Sequence, residues 1–215
     1  MADETSTPWL DILTACDFTG LIGQRLELML TMTRQEFQSK AQNEAANLTE
    51  LCGLITSKAN TSSLCAQLQS LSFAKRLVNV VCTKEPHPLA THCLSIMCHI
   101  FDISYNNSEY EIREFAPIIQ VLLQSPSAEG ESAPLEYLAW QLDHPTLQVI
   151  PPSQLPANKQ PFGLYRLQLL KSVNSLLKTN YGLLHKEMFR SKLVTSVMDA
   201  LYRHTTGHPT QPTAR

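Results

Sequence analysis

The stretch Leu89-Ala90-Thr91-His92-Cys93-Leu94-Ser95-Ile96-Met97-Cys98-His99-Ile100-Phe101 decides the fold of this chain. Its apolar residues Leu89, Cys93, Ile96, Met97, Ile100 and Phe101 recur at steps of four, three, one, three and one. Such steps gather side chains into one broad stripe along an α-helix, whereas a strand would alternate them between two faces. The same reading extends upstream. Phe73, Leu77, Val78 and Val81 continue a helical face up to the break at Glu85-Pro86-His87-Pro88, and Leu64, Leu68 and Leu71 make a short turn before them. A residue before proline is pushed out of helical dihedrals, which makes that break a helix boundary. Leu21, Leu26, Met29, Leu30 and Met32, and later Leu48, Leu51, Leu54 and Ile55, predict two helices with their joint around Ala41 to Asn47. Pro8 to Asp17 reads as a short opening helix.

Downstream, the polar run Tyr105-Asn106-Asn107-Ser108 predicts a loop, followed by a helix carrying Phe115, Ile118, Ile119, Leu122 and Leu123 with Pro117 in its early turn. Ser125 to Pro134 is another loop and Leu135 to Leu142 a short helix. His144 to Pro161 carries prolines at 145, 151, 152, 156 and 161, which predicts an extended connection over the surface. Two helices close the pattern. Leu164 to Lys178 is expected to turn Leu167, Leu170, Val173, Leu176 and Leu177 inward, and His185 to His204 to turn Met188, Val194, Val197, Met198 and Leu201 inward. Thr205 to Arg215, with two prolines, is expected to be a disordered tail. Short amphipathic helices joined by brief polar turns predict an all-α fold, an irregular armadillo- or HEAT-like α-solenoid forming one domain over residues 1–204. The spacing from the Leu77 helix to the Phe115 helix is close to the roughly 40 residues of such a repeat.

Composition narrows the function classes. Over 215 residues, 17 Lys+Arg stand against 19 Asp+Glu, a net charge of −2 that argues against nucleic-acid binding driven by bulk charge. With 43% hydrophobic and 17% charged residues the chain should fold. Seven glycines against thirteen prolines make phosphate-loop enzymes and tight-hairpin β folds poor fits. Met1 to Leu10 lacks a basic start and an apolar run, and no apolar stretch approaches the roughly 20 residues of a membrane span. A cytoplasmic protein is expected, with the nucleus also open. The six cysteines then read as reduced, mostly buried thiols, and the glycosylation patterns at Asn47, Asn60 and Asn106 as silent.

His87, His92, Cys93, Cys98 and His99 are the densest set of metal-ligating residues. On a helix they do not converge, and no Cys-x-x-Cys occurs, so no zinc site is expected. Cys93 belongs to the apolar stripe, and the neighbouring histidines read as a solvated helix shoulder. Cys98 and His99 point about 100° apart on a helix and cannot act as a nucleophile and base. No cofactor is expected and the chain does not read as an enzyme. The closing helices stand apart from the balanced total: between Tyr165 and His204, Arg166, Lys171, Lys178, Lys186, Arg190, Lys192 and Arg203 oppose only Glu187 and Asp199. That excess is either a solvated outer face or a basic ridge for an acidic partner. Lys171 and Lys178, seven residues apart, share a face.

Within this region Pro161-Phe162-Gly163, Arg166-Leu167 and Leu176-Leu177-Lys178-Thr179-Asn180 form a string that resembles the SAPS-domain family, the regulatory subunits of protein phosphatase 6. There a Pro-rich loop ends in Pro-Phe-Gly, an Arg-Leu follows, and the helix closes on a Leu-Leu-x-Thr-Asn turn. Ala74 to Val81, Cys93 to Ile96 and Ile118 to Leu123 are similar in the same order, so the likeness covers about 71–204. After His204 the family continues with an aromatic, Asn-containing stretch and further helices, whereas this sequence runs into Thr205 to Arg215, as a partial or alternatively ended form would. The resemblance implies a non-catalytic regulatory or scaffold subunit holding a serine/threonine phosphatase catalytic subunit. Phe162, Arg166, Lys171, Lys178 and Asn180 are the expected partner-binding residues, with the Phe162 ring anchoring its loop between the last two helices. An armadillo-like adaptor for trafficking or cytoskeletal partners is the alternative reading, and a small helical enzyme using His and Cys a third.

Overall fold

The computed structural model describes residues 8–57, 62–83, 87–106, 116–124, 132–144, 163–179 and 181–206, and every regular element among them is helical. In chain order these are α1 (Pro8–Ala15), α2 (Phe18–Leu30), α3 (Arg34–Glu36), which runs through a π-helical turn at Phe37–Ala41 into α4 (Gln42–Ser57), α5 (Ser62–Leu68) and α6 (Leu71–Val81). There follow α7 (Leu89–Asn106), α8 (Ala116–Leu122), α9 (Pro134–Asp143), α10 (Leu164–Lys178), α11 (Gly182–Arg190) and α12 (Leu193–Thr206). Local chemistry sets several starts. Asp17 caps α2 by accepting from the Gly20 N–H at 2.9 Å, and Ser70 caps α6. Thr33 and Glu36 form a capping box at the start of α3, which holds the Glu36 carboxyl below the usual carboxylate range.

Helix α7 is the centre of the packing. Leu89, Ala90, Cys93, Leu94, Ile96, Met97, Ile100 and Phe101 are all buried, and α4, α6 and α10 lie against it. A helix apolar on most sides must be surrounded, and this one is. Gly53 lets α4 approach: a Cβ there would stand 3.1 Å from the His99 ring. Helices α2 and α8 also pack on α6, and α12 packs on α9 and α11. The buried core is continuous from Phe18 to Leu193.

Three expectations are corrected. The joint expected at Ala41 to Asn47 falls earlier, between Leu30 and Arg34, and from Arg34 the chain runs as helix through a π-turn at Phe37–Ala41, with Phe37 and Ala41 both buried. The last helix is two, because Ser191 closes α11 and Lys192 reverses the backbone at φ 62°, a left-handed turn made by lysine where glycine is the usual signal. The histidines beside Cys93 are no solvated shoulder. His87 donates from Nε2 to the Met32 carbonyl at 3.0 Å and accepts the Leu89 N–H on Nδ1 at 3.2 Å, tying the start of α7 to the end of α2. The Phe37 ring stands edge-on to His87 at 5.0 Å and tilted against His92 at 6.3 Å. Burial pushes the basicity of both imidazoles down, and for His87 the nearby Arg34 adds to it.

Candidate functional site

The closing helices carry the residues singled out in the sequence, and α10 is the helix on which they turn. It begins at Gly163, whose φ of 76° and ψ of 144° suit glycine and strain other residues, so the glycine of Pro-Phe-Gly sets the direction in which α10 enters. Its inner side is unexpectedly polar. Gln168 is 8% exposed and Ser172 2%, with Ser175, Leu169, Val173 and Leu176 buried beside them. The Ser172 hydroxyl lies 3.1 Å from Cys98 Sγ and 3.3 Å from the Leu94 carbonyl, while Gln168 Nε2 donates to Cys98 Sγ at 3.4 Å. Small hydroxyl side chains let α10 and α7 approach closely, and their polar atoms are satisfied across the seam.

Three of the leucines of α10 face outward. Leu167 and Leu177, expected inside, are 44% and 40% exposed, and Leu164 is 71% exposed. Met198 and Leu201 of α12, also expected inside, are exposed as well. At 100° per residue Leu164, Leu167, Lys171, Asn174 and Lys178 fall within an arc of about 80°. Lys171, Asn174 and Lys178 are exposed too, so this arc is a mixed apolar and basic outer face. No aspartate or glutamate occurs anywhere on α10.

Arg166 does not belong to that face. It lies about 140° around the helix from Lys171, half-buried, and donates from its guanidinium to the Leu142 carbonyl at 3.0 Å. That carbonyl belongs to the last turn of α9, whose terminal carbonyls have no partner within the helix. Asp143 at the same end carries the wrong sign for a helix C-terminus. The fold compensates: Arg203 pairs with Asp143 at 2.9 Å and the Ser196 hydroxyl donates to it at 2.9 Å. Burial, and then the nearby Arg203, lower the Arg166 pKa, with Asp143 opposing them. Of the two readings of the basic excess, a single ridge through all seven residues is not what the structure shows. Arg166 and Arg203 fasten α10 and α12 to the end of α9, Arg190 pairs with Glu187 at 3.4 Å, and Lys171 and Lys178 share the outer arc of α10. Beside these, Tyr165 donates to Gln141, which reaches the Val81 carbonyl at 3.2 Å.

Phe162 and Asn180 lie outside the described residues, as do the Pro145 to Pro161 connection and the tail beyond 206. The sequence reading missed the roles of Leu164, Asp143 and Ser196. The signals it could have used are an aspartate closing a helix and a helix of fifteen residues with no acid. As for chemistry, burial pushes the Cys52 and Cys82 thiols up to about 12, and Cys93 higher still with Cys52 beside it, which keeps all three protonated and poorly nucleophilic at neutral pH. Among the described residues no group of three or more His, Cys, Asp or Glu side chains is placed to hold a metal ion, and no helix is long and apolar enough to cross a membrane. Compared with protein-family models, with curated proteins and with solved structures, the chain gives no match.

Proposed function

We propose that this chain is a non-catalytic scaffold subunit that holds a serine/threonine phosphatase catalytic subunit of the protein phosphatase 6 type. The observation that carries a binding role is the outer face of α10: a helix fixed from within by Gln168, Ser172 and the buried Leu169, Val173 and Leu176 presents Leu164, Leu167 and Lys171 to solvent. Leucines held outward at fixed separations on a packed helix are what a docking platform needs, since little order is then lost on binding. The phosphatase assignment rests on the Pro161 to Asn180 string and its resemblance to the SAPS-domain family. In this reading the helices form an irregular armadillo-like array, with α4, α7 and α10 as one row and α2, α6 and α8 as a second, consistent with the helices that touch. The protein works in the cytoplasm, or the nucleus, where such phosphatases meet their substrates.

The test is a titration of purified protein phosphatase 6 catalytic subunit with the full chain, read by calorimetry and by co-elution. A one-to-one complex is expected, with the catalytic subunit still active in it. Absence of any complex well above micromolar concentration overturns the phosphatase assignment and leaves the adaptor reading standing.

A further inference from the structure

The π-turn at Phe37–Ala41 is held to the rest of the fold by little besides its buried side chains. Among the described elements it packs broadly only on α3 and α4, its neighbours in the chain, although Phe37 and Ala41 are each 1% exposed. Single π-turns inside helices recur at functional sites, and this one places Phe37 against two imidazoles of the α7 region. Each imidazole is fixed in one neutral form by its hydrogen bonds. His87 Nε2 carries the hydrogen that reaches the Met32 carbonyl, which leaves Nδ1 to accept the Leu89 N–H. His92 is the reverse case: Thr49 gives its one hydroxyl hydrogen to the Ala45 carbonyl at 2.8 Å, so His92 Nδ1 donates to Thr49 Oγ1 at 3.3 Å and Nε2 is bare.

We propose that Phe37, His87 and His92 form an acid-sensitive latch, in which protonation of the two imidazoles releases residues 32–41 from the start of α7 while α9 to α12 stay folded. The inference stands apart from the phosphatase reading. A proton on His87 enters at Nδ1, where it meets the Leu89 N–H, and two donors facing each other cannot keep that bond. A proton on His92 enters at Nε2 and puts a cation on a half-buried ring beside Phe37. Among the described residues neither charge meets a carboxylate. On α3 Glu36 is committed to the Thr33 cap with Lys40 at 4.0 Å, and on α4 Glu44 is held by Arg25 at 2.6 Å while Glu50 is exposed. On α2 Glu27 pairs with Arg76 of α6 at 3.0 Å, and Lys75 is exposed. The charge that does face His87 is Arg34, of the same sign. Burial lowers the basicity of both rings, so the open segment takes up protons more readily than the closed one, and acid drives opening. The latch is closed above about pH 6.5, the ordinary imidazole value, and loosens as the pH falls below it. The seam of α7 with α10 has no such trigger, since Gln168 and Ser172 do not titrate.

The experiment is amide hydrogen exchange of the full chain between about pH 7.5 and 5.5, either side of the ordinary imidazole value, corrected for the intrinsic pH dependence of exchange. Each imidazole adds up to about tenfold per pH unit to the opening equilibrium. Residues 32–41 and Leu89 to His92 should lose protection by about tenfold or more over that interval, and Leu164 to Lys178 should keep theirs. His87→Gln and His92→Asn should each weaken the pH dependence and together abolish it, with circular dichroism checking that every variant is folded at neutral pH. Glu85→Gln is carried alongside, because Glu85 precedes His87 by two residues and lies outside the described residues; it should leave the profile unchanged. The unmutated chain gives a second readout: the ring protons of His87 and His92, followed by nuclear magnetic resonance, should titrate with the same midpoint as the opening. Uniform loss of protection along the chain, no loss in the acid range, or full pH dependence in either histidine variant overturns the latch. So does disappearance of that dependence in Glu85→Gln, or ring titrations whose midpoints differ from that of the opening.

Discussion

Helices α7 and α10 lie against each other and divide their residues in opposite ways. Along α7 the apolar side chains Leu94, Ile96, Met97 and Ile100 are buried on several sides, and hydrophobicity and burial agree. Along α10 the polar Gln168 and Ser172 bond to α7 beside the buried Leu169, Val173 and Leu176, while Leu164, Leu167 and Leu177 point to solvent. The starts differ as well. A neutral His87 pins α7 to the end of α2, and a glycine in a conformation strained for other residues aims α10. The contrast shows that α7 is held by apolar burial on three neighbours, whereas α10 combines buried Leu169, Val173 and Leu176 with a hydrogen-bonded polar edge and leaves Leu164, Leu167 and Leu177 outward. The exposed Leu164 and Leu167 add little to that burial and are available for another molecule.

The contrast breaks first where burial is complete. Ile96→Ala in α7 should cost about 2 to 5 kcal/mol in urea unfolding, because Ile96 is fully buried and the packed helices around it close only partly on the cavity. Leu167→Ala, the same kind of truncation on α10, should change stability by less than about 0.5 kcal/mol. Equal costs at the two positions would erase the distinction. Next comes the entry to α10. Gly163→Ala forces a Cβ into a dihedral region it rarely adopts and should destabilise by about 1 to 3 kcal/mol, read as a lower denaturation midpoint. The entry to α7 responds to acid instead. Burial keeps the His87 imidazole less basic in the folded chain than in the unfolded one, and its Nδ1 accepts the Leu89 N–H only while unprotonated. The unfolded state therefore takes up the proton first, and stability should be full above about pH 6.5 and decline as the pH falls below that value toward the lower folded pKa. His92, also buried and lowered, adds to the same decline. His87→Gln should flatten that acid limb, and a limb of unchanged slope would show that His87 does not contribute to it.

How legible these regions were in the sequence follows from the same physics. The α7 stripe is strongly periodic and its helix lies where the spacing puts it, running on through Tyr105 and Asn106 where a loop was expected. The α10 face was not legible because leucine and valine, at 164, 167, 169, 170, 173, 176 and 177, spread over about 240° of the helix. Periodicity over so broad an arc does not choose the buried side, and the structure buries the edge that carries Gln168, Ser172 and Ser175. The α11 to α12 reversal carried no glycine, and the π-turn at Phe37 has no side-chain signature that would displace it from an ordinary helix. Of the expected partner residues, Lys171 and Lys178 share an exposed face as their seven-residue spacing requires, while Arg166 was misplaced because the carbonyl it caps lies on another helix.

The central claim is that the outward leucines of α10 serve binding and not folding, and one paired measurement on Leu164→Ser with Leu167→Ser tests it. The variant and the parent chain are each unfolded in urea and each titrated with the purified phosphatase catalytic subunit. The account predicts a stability within about 0.5 kcal/mol of the parent and an affinity weaker by about tenfold or more. Lost stability with unchanged affinity would contradict it, placing these leucines in the service of the fold and the binding surface elsewhere on the molecule.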